Sequence, residues 1–285
     1  MSRLIWKYLI FAFLLLGVQH LMFAQDAKYW IEFADKQTEN YDYRTNLSPQ
    51  AIENRKLLHI SLSQYSDIPI SNEYLKQIET ENIIPITKSK WLNAVSADLT
   101  ESQIEWLRKQ DFVQKIVLID RYFKTMQVIP ESVGEINYST AISQMEPGAF
   151  EVDKLTGKGI TIGVIDAGFY GSHKRKSLSR LMADGNVLAK KDFVHGDDAG
   201  LFEKSFTNAD SHGTRVLEMI AGKRLSNSKQ FGFATESNFY LARTDDGNNE
   251  FRGEEDYWIA AMEWMDSLGT RIINTSLGYA LGFDN

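Results

Sequence analysis

Along residues 28–120 the apolar positions switch between the period of a strand and that of a helix. Lys28-Tyr29-Trp30-Ile31-Glu32-Phe33, rich in aromatic and β-branched side chains, reads as a strand. Ser48 before Pro49 supplies an N-cap and a proline at the first helical position, so a helix is predicted to open there and run toward Leu58. Ser71 is placed as the cap of a second helix with Leu75 and Ile78 on one face. The apolar segment 83–86 is expected to be a short strand, at an edge because Pro85 cannot donate to a ladder. Residues 91–97 continue extended. Thr100 with Gln103 fits a capping box for a helix bearing Ile104 and Leu107, and 113–119 closes as a strand. Strands and helices in this order suggest a small split βαβ sandwich of the ferredoxin type.

After residue 156 the pattern changes. Pro130, Gly134, Pro147 and Gly148 break up residues 121–156, as in a linker. Residues 160–165 are too apolar to have a wet face and predict a central strand of a covered parallel sheet, ended by Asp166. The polar, glycine-containing stretch 170–209 is expected to be a long loop region over the strand ends. Asp210 and Ser211 are capping types before Val216, Met219 and Ile220 at i, i+3, i+4 spacing, with Gly222 placed as the left-handed residue that ends a short helix. A strand at 238–243, turn chemistry at 244–249, a helix with Glu254, Glu255 and Asp256 in its first turn, and a strand at 271–274 follow. Tyr257, Ala261, Met265 and Leu268 form the inward side of that helix, which ends at Gly269. Such alternation specifies a parallel sheet. The expected fold class is α/β, a doubly wound parallel sheet left incomplete at three strands, preceded by a small α+β ferredoxin-like domain. The expected divisions are 1–24, 25–120, 121–156 and 157–285.

Composition narrows the function classes. With 285 residues, 43% of them hydrophobic, the chain can bury a large core. A net charge of -7 and the lack of a Lys/Arg stripe argue against nucleic acid as a partner. Zero cysteines exclude a disulfide framework, a thiolate nucleophile and Cys-ligated zinc. Arg3 and Lys7 precede an apolar or small run over 8–18, and Ala24 offers a cleavage point, so residues 1–24 read as a secretory signal. Gln19 and His20 interrupt that run short of the ~20 residues a span needs. The mature chain is therefore expected to be secreted or in the cell envelope, without a stable membrane anchor.

The candidate chemistry sits at His212 and Asp166. Opening a helix, His212 faces unpaired N–H groups and the positive end of the macrodipole, which favour a neutral ring able to take a proton. Gly213 lets another segment approach that ring closely. Asp166, at the carboxyl end of a central strand, can accept the Nδ1–H of His212 and fix its tautomer.

Val164-Ile165-Asp166-Ala167-Gly168, His212-Gly213-Thr214-Arg215-Val216 and Ile273-Asn274-Thr275-Ser276-Leu277-Gly278 resemble, in the same order, the aspartate, histidine and substrate-strand blocks of the subtilisin-like serine proteases. The resemblance covers roughly residues 135–285 and implies an endopeptidase with an Asp-His-Ser triad. Asp166 and His212 would be two of its members, and Ser276, Leu277 and Gly278 would pair with a polypeptide substrate. It also implies that the N-terminal domain is a propeptide that assists folding and occupies the substrate cleft as an intramolecular inhibitor. The family's Gly-Thr-Ser-x-Ala segment and Gly-Asn block do not occur in these 285 residues, so the chain is expected to stop before the nucleophile and to be inactive alone. Ser276 is assigned to binding, because no helix follows closely to supply oxyanion amides.

Rival readings remain at this stage. One is an inactive peptide-binding module of the same fold, and another is an attached accessory domain in place of a propeptide. A metal site built from His173, His195, His212, Asp166 and Asp210 lacks the spacing of ligand pairs. Asp245, Asp246, Asn248 and Glu250 do not meet the EF-hand pattern and are read as a plain turn. No cofactor is identifiable. Calcium is frequent in the family, but no ligands are assigned.

Overall fold

A computed structural model describes residues 27–37, 41–119, 142–145, 148, 154–246 and 254–277. The putting-together of the first ninety or so residues follows their capping signals. β1 (Ala27–Phe33), α1 (Pro49–Leu57), α2 (Asn72–Thr80), β2 (Thr87–Ser89), β3 (Ala94–Leu99), α3 (Glu101–Leu107) and β4 (Val113–Ile119) form one antiparallel sheet in the order β2-β3-β1-β4 with its helices. This is the ferredoxin-like arrangement. Ser48 accepts from the Ala51 amide, Ser71 from Tyr74, and Thr100 with Gln103 closes a complete capping box. Ile31, Phe33, Ile78, Ile83, Val95 and Leu107 fill the core.

Two local expectations fail here. Residues 83–86 are not a strand: Ile83 is buried while Ile84 is exposed, and the edge strand is β2, which begins at Thr87 once Pro85 is passed. Residues 91–93 turn before β3, with Asn93 in the left-handed region at φ 50°.

A second sheet, all parallel, holds β5 (Thr161–Asp166), β6 (Val187–Asp192), β7 (Asn238–Arg243) and β8 (Ile272–Thr275) in the order β6-β7-β5-β8. Between them run α4 (Ser179–Ala183), α5 (His212–Ala221) and α6 (Glu255–Ser267). Alternate residues of β5 and β7 face opposite layers. Ile162, Val164, Phe239 and Leu241 pack with Leu217 and Ala221 of α5, while Ile165 and Ala242 pack with Ala261 and Met265 of α6. Helices on both faces explain why β5 has no polar side.

The sheet has four strands among the described residues, not three. Residues 170–209 were expected to be loop, yet β6 lies inside them. It is an edge strand whose Lys190 and Lys191 hide it from a hydrophobic pattern, as charged edge strands do. The expected boundaries at 24 and 120 fall outside the described residues, and the one at 156 falls within them, shortly before β5.

The two sheets meet through α6. Glu263 accepts hydrogen bonds from Ser89 Oγ (2.5 Å) and from the amides of Lys90 and Trp91 (both 3.1 Å). Asp256, fully buried, accepts from Ser96 Oγ (2.5 Å) and pairs with Lys28 Nζ at 2.7 Å. At the far end of the helix Asn54 donates to the Gly269 carbonyl (2.7 Å), and Arg55 reaches Asp266 (3.2 Å). Among the described residues no helix is long and apolar enough to cross a membrane.

Candidate active site

Asp166 ends β5 with its carboxylate wholly buried, and Oδ1 accepts from the Ala167 amide at 2.8 Å. His212 is the first residue of α5, and its Nδ1 lies 2.9 Å from the same oxygen. Two glycines make that approach possible. A Cβ on Gly213 would stand 2.6 Å from the Gly168 carbonyl and 2.8 Å from Asp166 Cβ, and one on Gly168 would stand 2.8 Å from Asp210 Cα. The close approach expected at Gly213 is therefore that of the strand end and the loop leaving it. Thr214 ties the same loop down by donating to the Tyr170 carbonyl at 2.9 Å.

The electrostatics of the pair follow from unequal burial. Burial pushes the Asp166 carboxyl up from the usual carboxylate range, opposed by the bond to His212 and by backbone amides. His212 is partly exposed, and its bond to Asp166 raises its pKa against the desolvation that lowers it. The helix N-terminus was expected to keep this ring neutral. A direct hydrogen bond to a buried carboxylate outweighs that partial charge, so the ring protonates more readily than an ordinary histidine.

The entry to α5 is built differently from the expected cap. Ser211 makes no capping hydrogen bond. Instead a 3₁₀ turn, Asn208–Ser211, precedes the helix, with a capping box between Thr207 and Asp210. Asp210 also accepts from Arg243 at 2.8 Å, which links the histidine helix to the end of β7. Gly222 closes the helix at φ −60°, not in the left-handed region; its missing Cβ serves the contact with Phe231 and the Glu218 carbonyl. The buried face of α5 is Thr214, Leu217, Glu218 and Ala221, while Met219 is exposed. Glu218 evaded the apolar pattern because its charge is met by Ser177 and Arg175.

The other predicted residues fall as follows. Ser276 leaves β8 with its amide bonded to the Ile165 carbonyl (3.2 Å) and its hydroxyl accepting from Asn274 (2.7 Å). Leu277 packs with the Ile165 and Ala261 cluster and lines an apolar cavity of about 390 Å³ together with Trp258, Ile259, Thr275, Trp30 and Leu92. Gly278 lies outside the described residues. His173 is bonded to Glu203 (3.1 Å) and stacks on Phe202, and His195 packs against Phe206, so neither joins His212. Among the described residues no three His, Asp or Glu side chains gather as metal ligands. Asp245 is buried, contrary to a plain turn, and Glu254 and Asp256, read only as helix-start charges, are buried as well. Their signal in the sequence was an acidic run longer than a helix start requires.

The sequence of residues 28–132 matches the peptidase S8 propeptide domain of Bacteroidota, and that of residues 157–282 matches the subtilase family. Subtilisin E of Bacillus subtilis (strain 168) is 28% identical over 194 residues, 68% of this chain and 44% of that protein. Subtilisin of Bacillus pumilus is 30% identical over 142 residues, 50% of this chain and 45% of that protein. The chain thus spans less than half the length of these curated relatives. Among solved structures, the epidermin leader peptide processing serine protease of Staphylococcus aureus superposes with a TM-score of 0.54 at 16% identity, over 89% of this chain and 50% of that one. The chain thus carries a subtilase-family segment directly behind a segment of the peptidase S8 propeptide family.

Proposed function

We propose that the protein carrying these residues is a secreted serine endopeptidase in which His212 is the general base and Asp166 its orienting partner. The observation that carries this reading is the 2.9 Å contact between His212 Nδ1 and the buried Asp166 carboxylate. With Nδ1 committed to Asp166, Nε2 takes the proton of a serine hydroxyl as it attacks the scissile carbonyl, then returns it to the leaving amine. Water repeats the cycle to free the acyl group. Ser276, Leu277 and Gly278 act as a strand edge along which a polypeptide substrate lies. Residues 25–120 serve as the propeptide, and their seat on α6 supports that role. Residues 1–24 are read as the export signal.

Ser276 is not the nucleophile in this account. Among the described residues its hydroxyl is bonded to Asn274 and not to His212, and the 285-residue chain is expected to be inactive by itself. The test is peptide hydrolysis and labelling by a serine-directed phosphonate in the natural protein that carries this sequence. His212→Ala and Asp166→Asn should each cut kcat by on the order of 10⁴-fold or more. Full labelling and turnover in His212→Ala would defeat the assignment. Hydrolysis by the 285-residue chain that survives Ser276→Ala but not His212→Ala would point to activated water, and a natural protein that never hydrolyses peptides yet binds them would favour the binding-module alternative.

A further inference from the structure

Beside the Asp166–His212 pair lies a second acidic pair to which the peptidase reading assigns no role. Asp245 follows β7 by two residues and Glu254 stands at the N-cap position of α6, at 3% and 0% exposure. Residue 246, next in the chain to Asp245, donates its amide to Glu254, so the two buried carboxyls stand side by side. Two carboxylates have no hydrogen to share, so a hydrogen bond between them requires that one be protonated. Glu254 Oε1 accepts from the Asp246 amide at 2.6 Å. Glu254 Oε2 and Asp245 Oδ1 are buried and accept from no backbone or side-chain donor among the described residues, and a proton between the two carboxyls would be a partner for both.

The charges around the pair decide who holds it. Asp245 faces Asp166 of β5, Asp246, and Arg243 of β7, whose guanidinium is shared with Asp210 (2.8 Å) and Asp192 (4.0 Å). Glu254 faces Asp245 and Asp246, with Tyr257 and the Lys28-paired Asp256 on its own helix. Burial and the neighbouring Asp245 push Glu254 up to about 10, whereas Asp245, also raised by burial, is helped to ionise by the Glu254 bond and by Arg243. The negative charge therefore rests on Asp245, where it also favours the protonated form of His212.

We propose that Asp245 and Glu254 hold one proton between them at neutral pH, a carboxyl–carboxylate pair that ties residue 246 to the start of α6 and leaves a single negative charge facing the Asp166–His212 pair. Asp245 and Glu254 are thus positioning residues for His212. Their bearing on catalysis rests on the base role given to His212 above, but the shared proton does not.

Two measurements on the full 285-residue chain test it without any turnover. Infrared spectra at pH 7 should contain a protonated-carboxyl band that is lost in Glu254→Gln, retained with a shifted frequency in Asp245→Asn, unaffected by Asp166→Asn, and in the wild type lost only near pH 10. Histidine ring NMR should show the His212 pKa moving down in Asp245→Asn and staying in place in Glu254→Gln, whose amide still donates to Asp245. Absence of the band at pH 7, its removal by Asp166→Asn, or a Glu254→Gln shift of His212 as large as that of Asp245→Asn would overturn the proposal. If a variant fails to fold, the wild-type band and its pH dependence decide.

Discussion

Asp166 and His212 both have raised pKa values for opposite reasons, desolvation in the one and attraction in the other. The sign for stability follows from linkage. His212 has a folded pKa above its ordinary 6.5, so the stability it contributes is fully present below that value and is lost as pH rises through the folded one. Asp166 acts in the same sense in a lower window: its buried charge costs stability as pH rises from 3.8 through its folded value. Because a base must be neutral to accept a proton, the acidic limb of the proposed peptidase activity should lie on the alkaline side of an ordinary histidine's. Gly213 is the residue on which the geometry hinges. Gly213→Ala would force its Cβ against the Gly168 carbonyl and Asp166, at a cost of about 1–3 kcal/mol, read as a lower thermal midpoint together with a changed His212 ring environment. At this scale the sequence was legible where one residue type alone satisfies the geometry. Gly213 and Asp166 could be read that way. The electrostatic direction at His212 could not, because it depends on how deeply Asp166 is buried.

Capping chemistry carried most of the element boundaries. Ser48-Pro49 and Thr100 with Gln103 are local signals that tertiary packing does not override, and both open helices where expected. The misread elements are those where a charge is buried or an apolar residue exposed for reasons set elsewhere in the fold. β6 is concealed by its lysines, and the face of α5 is rotated toward Glu218, whose partners come from residues more than 40 positions upstream. α6 shows the same limit, since Asp256 and Glu263 look like solvated helix charges until the first sheet is laid against them. Glu263→Ala would strip three donors of their acceptor, at a cost of about 1–3 kcal/mol to the union of the two sheets. The expected result is faster cleavage within residues 27–119 in limited proteolysis, with the second sheet's far-ultraviolet signal retained. Unchanged cleavage would mean that α6 contributes little to holding the sheets together.

In the whole molecule, a parallel sheet covered on both faces brings the end of one strand and the start of the next long helix to a single edge, though 46 residues separate Asp166 from His212 in sequence. The split into an antiparallel and a parallel sheet was readable from the change in apolar period near residue 157. How the two sheets meet was not, since the contacts joining them are polar and distant in sequence. The peptidase reading proposed for this protein depends on the imidazole being held by the carboxylate in solution. The direct measurement is a ring-nitrogen NMR titration of His212 in the 285-residue chain, assigned by its loss in His212→Ala. The account predicts a pKa above that of an ordinary histidine, Nδ1 carrying the hydrogen in the neutral ring, and a downward shift in Asp166→Asn. A ring that titrates at or below the ordinary value and does not respond to Asp166→Asn would contradict it.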